Sequence, residues 1–153
     1  MTKIGKDNRS IWLENNTVKI IDQTKLPFDI SFEKLNSTSD FYFAIKHMKV
    51  RGAPLIGVTA ALGLAISVNR NSNIENINKT YNKLLSSRPT AVNLKWALDF
   101  LREKLLITKK KDRGILALIM ANKIYQDDIN SCEKIGNFGY ELIKKKFSKK
   151  KKE

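Results

Sequence analysis

The sequence is poor in the residues that build metal centres and covalent frameworks. It contains one cysteine and one histidine. A single cysteine excludes an intrachain disulfide framework and a cysteine-built zinc site, and a single histidine excludes a multi-histidine metal centre. Long apolar runs are also scarce. The most apolar stretch, Pro54 to Val68, stops at Asn69-Arg70, short of the roughly 18 residues a membrane span requires. Its glycines and alanines suit close helix packing, so it is predicted to be a buried core helix and not a membrane contact. Met1 to Gly5 is too polar for a signal peptide, and the expected location is the cytoplasm. Acidic residues number 15 against 29 lysines and arginines, for a net charge of +14.

That charge is unevenly spread. Lys144 to Glu153 carries seven lysines and one glutamate, Lys109 to Arg113 carries another +3, and the remainder of the chain carries +5. Arginine is sparse and no aromatics interleave with the basic runs, as base stacking would require. The lysine run reads as a solvated end, and nucleic acid is the minority reading. A length of 153 residues fits one domain with a real core.

The first third reads as short strands. Ser10 to Leu13 and Val18 to Ile21 flank a turn-rich Glu14-Asn15-Asn16-Thr17, and Phe28 to Phe32 alternates with period two. A small antiparallel sheet is expected within residues 1–36, covered on one face by a helical body over 37–147, with a lysine-rich tail at 148–153. The fold class is thus α+β, predominantly α-helical. Ser37 or Ser39 is placed to cap a first helix bearing Phe41, Ile45 and Met48. Helical spacing recurs in Ile74, Ile77, Tyr81 and Leu84, and in Leu94, Ala97, Leu98, Leu101 and Leu105. From Asp112 to Lys146 a long pattern carries Ile115, Leu118, Ile119, Ile135, Phe138, Leu142 and Ile143, as one helix or as two broken near Asp128.

Two stretches carry chemistry. Val50-Arg51-Gly52-Ala53-Pro54 and Ser87-Arg88-Pro89-Thr90-Ala91 each put an arginine before a predicted helix start. Pro54 suits the first helical position, and Thr90 is a natural N-cap. A helix N-terminus offers unpaired donors and a positive dipole end, and a guanidinium adds a fork that fits phosphate. Two such units together would hold a small phosphorylated metabolite. Arginines in such positions are also commonly just solvated, so spacing alone leaves both readings open. Other candidates are weaker. His47 has no acid partner and reads as a surface or packing residue. Cys132 has no adjacent basic cluster and reads as structural. Asp127 and Asp128 point in different directions. Gly136 and Gly139 follow no strand, so they suit helix packing and not a phosphate loop.

Ile21-Asp22-Gln23-Thr24-Lys25-Leu26-Pro27, Val50-Arg51-Gly52-Ala53-Pro54 with Ile56-Gly57, and Arg88-Pro89-Thr90-Ala91-Val92-Asn93-Leu94 with Trp96 to Asp99 together resemble the methylthioribose-1-phosphate isomerase family. The match continues through Ile135-Gly136. The wider superfamily includes ribose-1,5-bisphosphate isomerases and regulatory subunits of the translation-initiation exchange factor. The resemblance implies the N-terminal domain of an enzyme that converts 5-methylthioribose 1-phosphate to 5-methylthioribulose 1-phosphate in methionine salvage, without metal or organic cofactor and usually as a homodimer. It implies substrate contacts at Arg51, Gly52, Ala53 and Arg88. The family's Rossmann-like domain, with its Thr-His-Cys-Asn motif and proton-donor aspartate, has no counterpart here. The expectation is therefore a chain truncated and inactive alone, or one paired with a separate catalytic chain. The alternative is a non-catalytic binding or regulatory module whose basic tail contacts RNA or an acidic partner.

Overall fold

A computed structural model describes residues 9–14 and 17–150, except for the side chains of 148–150. The expected turn at Asn15-Asn16, the N-terminal segment and the end of the lysine run lie outside the described residues. Three antiparallel strands, β1 (Ile11–Glu14), β2 (Thr17–Ile21) and β3 (Phe32–Leu35), stand in the order β1-β2-β3. Five α-helices follow: α1 (Thr38–Lys46), α2 (Ala53–Arg70), α3 (Ile74–Leu85), α4 (Val92–Ile107) and α5 (Arg113–Lys150). The mainly helical α+β class expected from the pattern is the one found. In the register, Leu13, Val18 and Leu35 form one cross-strand row, and Ile11 lies opposite Ile20 in the next. Because side chains alternate across a strand, these rows share the face turned to the helices, and Val18, Ile20 and Leu35 are buried there.

The third strand begins later than the period-two alternation of Phe28 to Phe32 predicts. The amides of Phe28 and Asp29 both donate to the Lys25 carbonyl, which curls residues 25–29 into a turn. Phe28 is 96% exposed, so the alternation marked a loop and not a half-buried strand.

α1 begins where expected. Ser37 caps it through a reciprocal box, accepting from the Asp40 amide while the Asp40 carboxylate accepts from the Ser37 and Asn36 amides. Met48 is not part of its buried stripe. It follows the C-cap at φ 57°, with its amide bonded to Ile45 O and the Lys49 amide to Ala44 O. That is the Schellman arrangement, which usually places glycine at this left-handed position.

α2 is buried on nearly every side from Ile56 to Ile66. By length and composition it could cross a bilayer, yet two-thirds of it is buried within this fold. It takes its neighbours closely. A Cβ added at Gly63 would lie 2.8 Å from the Phe41 ring of α1, and one added at Gly114 of α5 would lie 2.9 Å from Asn69 Oδ1.

α5 is one continuous helix with no break near Asp128. Its core stripe is not the one expected. Ala117, Met120, Ala121, Ile124 and Tyr125 are buried, whereas Ile115 and Ile119 are exposed. The small alanines let α5 lie against α2, a signal that a search for large apolar residues passes over. Arg113 at its start is buried with no carboxylate partner. Its Nε donates to Leu105 O at 2.9 Å and Thr108 O at 3.0 Å, and one terminal nitrogen donates to Ser72 O at 2.9 Å. These carbonyls belong to the end of α4 and to the loop after α2, where helix dipoles present negative charge. Arg113→Met should cost about 2–4 kcal/mol in urea unfolding, the scale of losing charge-assisted hydrogen bonds and leaving buried carbonyls unpaired. An unchanged midpoint would show that the arginine does not join these ends.

Candidate functional site

The approach to α2 is held from several sides. The Gln23 amide donates to Lys49 O at 2.9 Å, and Lys49 Nζ pairs with Glu33 of β3 at 2.5 Å. Just upstream, Asp22 is buried and its Oδ1 accepts from both the amide and the hydroxyl of Thr24. Burial alone would raise the Asp22 pKa. The two Thr24 bonds, helped by Lys49 and Lys25, outweigh that and hold it below its ordinary value. Arg51 follows, exposed, with Nε donating to Met48 O at 3.3 Å. Gly52 is the N-cap of α2 at φ 94°, a conformation that favours glycine. It brings no side-chain cap, and Ala53 and Pro54 beyond it are exposed.

α4 opens in a similar way. The Ala91 amide closes a turn on Arg88 O at 3.0 Å, and Ala91, not the expected Thr90, is the N-cap. The turn carries the chain past Thr90, whose side chain caps nothing. Two neighbouring helices therefore start without a side-chain acceptor on their free amides.

What brings the two starts together is Gly57. A Cβ added there would lie 2.9 Å from the Asn93 carbonyl oxygen. Gly57 lies in the second turn of α2 and Asn93 in the first turn of α4, so these N-terminal segments lie side by side. Arg51, Gly52 and Ala53 sit at one start, and the half-buried Arg88 just before the other. Neither arginine forms an ion pair with a carboxylate among the described residues. The arrangement is an open shelf. The adjoining cleft, about 430 Å³, is lined by residues 89–92 and by Lys95, Trp96, Asp99, Phe100 and Glu103, and contains neither arginine.

Tyr81 was visible in the sequence only as a position in the helical stripe of α3, and its partner Asp99, in that cleft, only as part of a motif. Asp99 accepts from Tyr81 Oη at 2.6 Å and from Lys95. Burial would raise its pKa, but these two donors outweigh it and keep it low, while Tyr81 is raised by the bond to Asp99 and by burial. His47 is an exposed C-cap stacked on Phe43. Cys132, read as structural, is exposed, because α5 has left the core by that point. No cluster of metal-binding side chains occurs among the described residues.

Residues 49–148 match the initiation factor 2 subunit family. The chain belongs to that family. Within it, the chain is 43% identical over 142 residues to the methylthioribose-1-phosphate isomerase of Rhodospirillum centenum, an alignment covering 92% of this chain and 38% of that relative. Among solved structures, 5-methylthioribose 1-phosphate isomerase from Pyrococcus horikoshii superposes with a TM-score of 0.72 at 33% identity, over 78% of this chain and 36% of that one. The initiation factor eIF-2B delta subunit from A. fulgidus also gives 0.72, at 31% identity over 79% of this chain and 37% of its own. The chain thus spans about two-fifths of the isomerase relatives it matches.

Three carboxylates, Asp22, Asp40 and Asp99, have folded pKa values below their ordinary 3.8. Such groups bind fewer protons folded than unfolded between the two values, so their stabilisation is complete above the unfolded value and is lost as pH falls through the folded one. Urea unfolding should therefore show stability falling below about pH 4, and Asp22→Asn should flatten that fall. An equal pH slope in the variant would remove Asp22 from the account.

Proposed function

We propose that this chain is the substrate-binding part of an S-methyl-5-thioribose-1-phosphate isomerase, with Arg51, Gly52, Ala53 and Arg88 holding the phosphate of 5-methylthioribose 1-phosphate. The observation that carries the reading is the contact of two uncapped helix starts, each with an arginine that has no carboxylate partner. Free helix amides and guanidinium forks are complementary to a phosphate dianion, and the similarity to methylthioribose-1-phosphate isomerases supports the choice of sugar.

The aldose–ketose step moves hydrogen between neighbouring sugar carbons and calls for an acid and a base beside them. Asp99 is committed to Lys95 and Tyr81 and kept ionised, and Cys132 lies on the outer part of α5. The chain's share is binding and orientation. The catalytic groups come from the additional length that the isomerase relatives possess, in the same polypeptide or a second one, in methionine salvage.

The chain alone should give no turnover of 5-methylthioribose 1-phosphate, whereas a full-length relative carrying this segment in place of its own should be active. In that chimera Arg51→Ala should weaken substrate binding by about 1.5–3 kcal/mol. Arg88→Lys should also weaken it, since lysine keeps the charge and loses the fork. Turnover by the chain alone would overturn the division of labour, and wild-type affinity in both variants would overturn the phosphate assignment. The equal resemblance to an initiation-factor subunit favours a second reading, a binding module without catalysis. An inactive chimera that still binds its partner domain would support it.

A further inference from the structure

The cleft beside the start of α4 is built from two rows of that helix. Val92, Trp96 and Phe100 recur every four residues as an apolar row, and Lys95, Asp99 and Glu103 form a polar row next to it. Pro89 and Thr90 also line the cleft. They belong to the turn that the Ala91 amide closes on Arg88 O, so the cleft is continuous with the helix start. Its volume of about 430 Å³ lies within the range of small-molecule sites.

Each row limits what fits there. The Trp96 and Phe100 rings stack with centroids 6.0 Å apart and planes 13° from parallel, an aromatic platform beginning about 6 Å along the helix from Val92. Aromatic rings favour a thioether sulfur beyond the burial of its carbons. The polar row acts by charge. Asp99 stays ionised against the pull of burial because Lys95 and Tyr81 donate to it. Lys95 is occupied by that pair, and Glu103 forms no ion pair among the described residues. One lysine thus stands against two carboxylates along the cleft, which disfavours an anion there and tolerates an uncharged, apolar group.

We propose that this cleft is the subsite for the methylthio group of 5-methylthioribose 1-phosphate, with Trp96 and Phe100 packing on the thioether and Asp99 and Glu103 rejecting a phosphate at C5. The placement rests on the phosphate site proposed above: with the C1 phosphate at the helix starts, the C5 substituent lies at the other end of the sugar and extends along α4. Discrimination at C5 then belongs to this chain, whereas the acid and base belong to the additional length of the isomerase relatives.

Three probes that share the C1 phosphate and differ at C5 test this on the full 153-residue chain: 5-methylthioribose 1-phosphate, ribose 1-phosphate and ribose 1,5-bisphosphate. Binding is followed by nuclear magnetic resonance, and circular dichroism verifies that each variant stays folded. The Trp96 indole N–H should shift with the methylthio compound and stay in place with ribose 1-phosphate, while the amides of Val92 and Asn93 respond to both. The other tryptophan, Trp12 on β1, should respond to neither. Trp96→Ala should weaken the methylthio compound about five- to tenfold, the scale of burying a methyl and a sulfur on an aromatic ring, and leave ribose 1-phosphate unchanged. Glu103→Lys should tighten the bisphosphate about fivefold relative to the methylthio compound. The chimera should show the same Trp96→Ala difference between the KM of the methylthio substrate and inhibition by ribose 1-phosphate.

A Trp96 indole that stays in place while the Val92 and Asn93 amides shift would overturn the subsite and leave the phosphate site standing. So would an equal loss of both sugar phosphates in Trp96→Ala, as when Trp96 packs against another part of a longer protein, or a bisphosphate affinity unchanged by Glu103→Lys. Amides that respond to none of the three probes would overturn the phosphate site and the subsite together.

Discussion

The close approach of α2 to α4 at Gly57 is the constraint on which the rest of the molecule depends. With a hydrogen in place of a side chain, α2 lies so near α4 that an added Cβ would fall 2.9 Å from the Asn93 carbonyl. Any larger residue must push the helices apart, and interiors packed at near-crystalline density resist such shifts. The same device recurs along α2, at Gly63 against Phe41 and at Asn69 against Gly114. One helix is thereby held by α4 at its start, α1 at its middle and α5 at its end. The consequence lies at the start, where two sets of free amides lie side by side, each preceded in the chain by an arginine.

The segment that delivers Arg51 to the start of α2 carries local strain. Met48 adopts a left-handed conformation that disfavours residues with a Cβ, and its carbonyl accepts from Arg51. The Schellman bonds at the end of α1, the Gln23–Lys49 backbone bond and the Lys49–Glu33 pair surround it. Strain of this sort persists where the surroundings over-determine the backbone, and here those surroundings include both the sheet and α1. The far end of α2 uses another solution: buried Arg113 gathers three carbonyls, from the end of α4 and the loop after α2, without any carboxylate.

Much of the fold was legible because α1 to α4 follow helical spacing with local punctuation. Ser37 capped, Pro54 sat in the first turn of α2, and Leu94, Ala97, Leu98, Leu101 and Leu105 all faced the core. The failures share a cause. Phe28 to Phe32 had the alternation of a strand, but Lys25 O had already taken two amides into a turn, a competition invisible to periodicity. In α5 Ile115 and Ile119 were read as part of the apolar stripe, when the core face was built from Ala117, Met120, Ala121, Ile124 and Tyr125 and those two isoleucines faced outward. Thr90 had the chemistry of a cap, but a turn through Arg88 moved the helix start one residue on. For the site, the arginines and their helix starts were readable. Their juxtaposition was not, because it depends on Gly57 meeting a backbone carbonyl 36 residues away in sequence, and the Tyr81–Asp99 bond joins two helices in the same hidden way.

The central claim is that two helix starts form one anion site. Titrating the isotopically labelled chain with inorganic phosphate, while following the backbone amides of Gly52, Ala53, Val92 and Asn93 and the Nε–H signals of Arg51 and Arg88, tests it most directly. The account predicts that both groups of signals shift along a single saturating curve, and that Gly57→Leu, which forces the helices apart, splits or abolishes that shared response while the chain remains folded. Shifts confined to one helix start, two unrelated affinities, or a response unaltered by Gly57→Leu would contradict it.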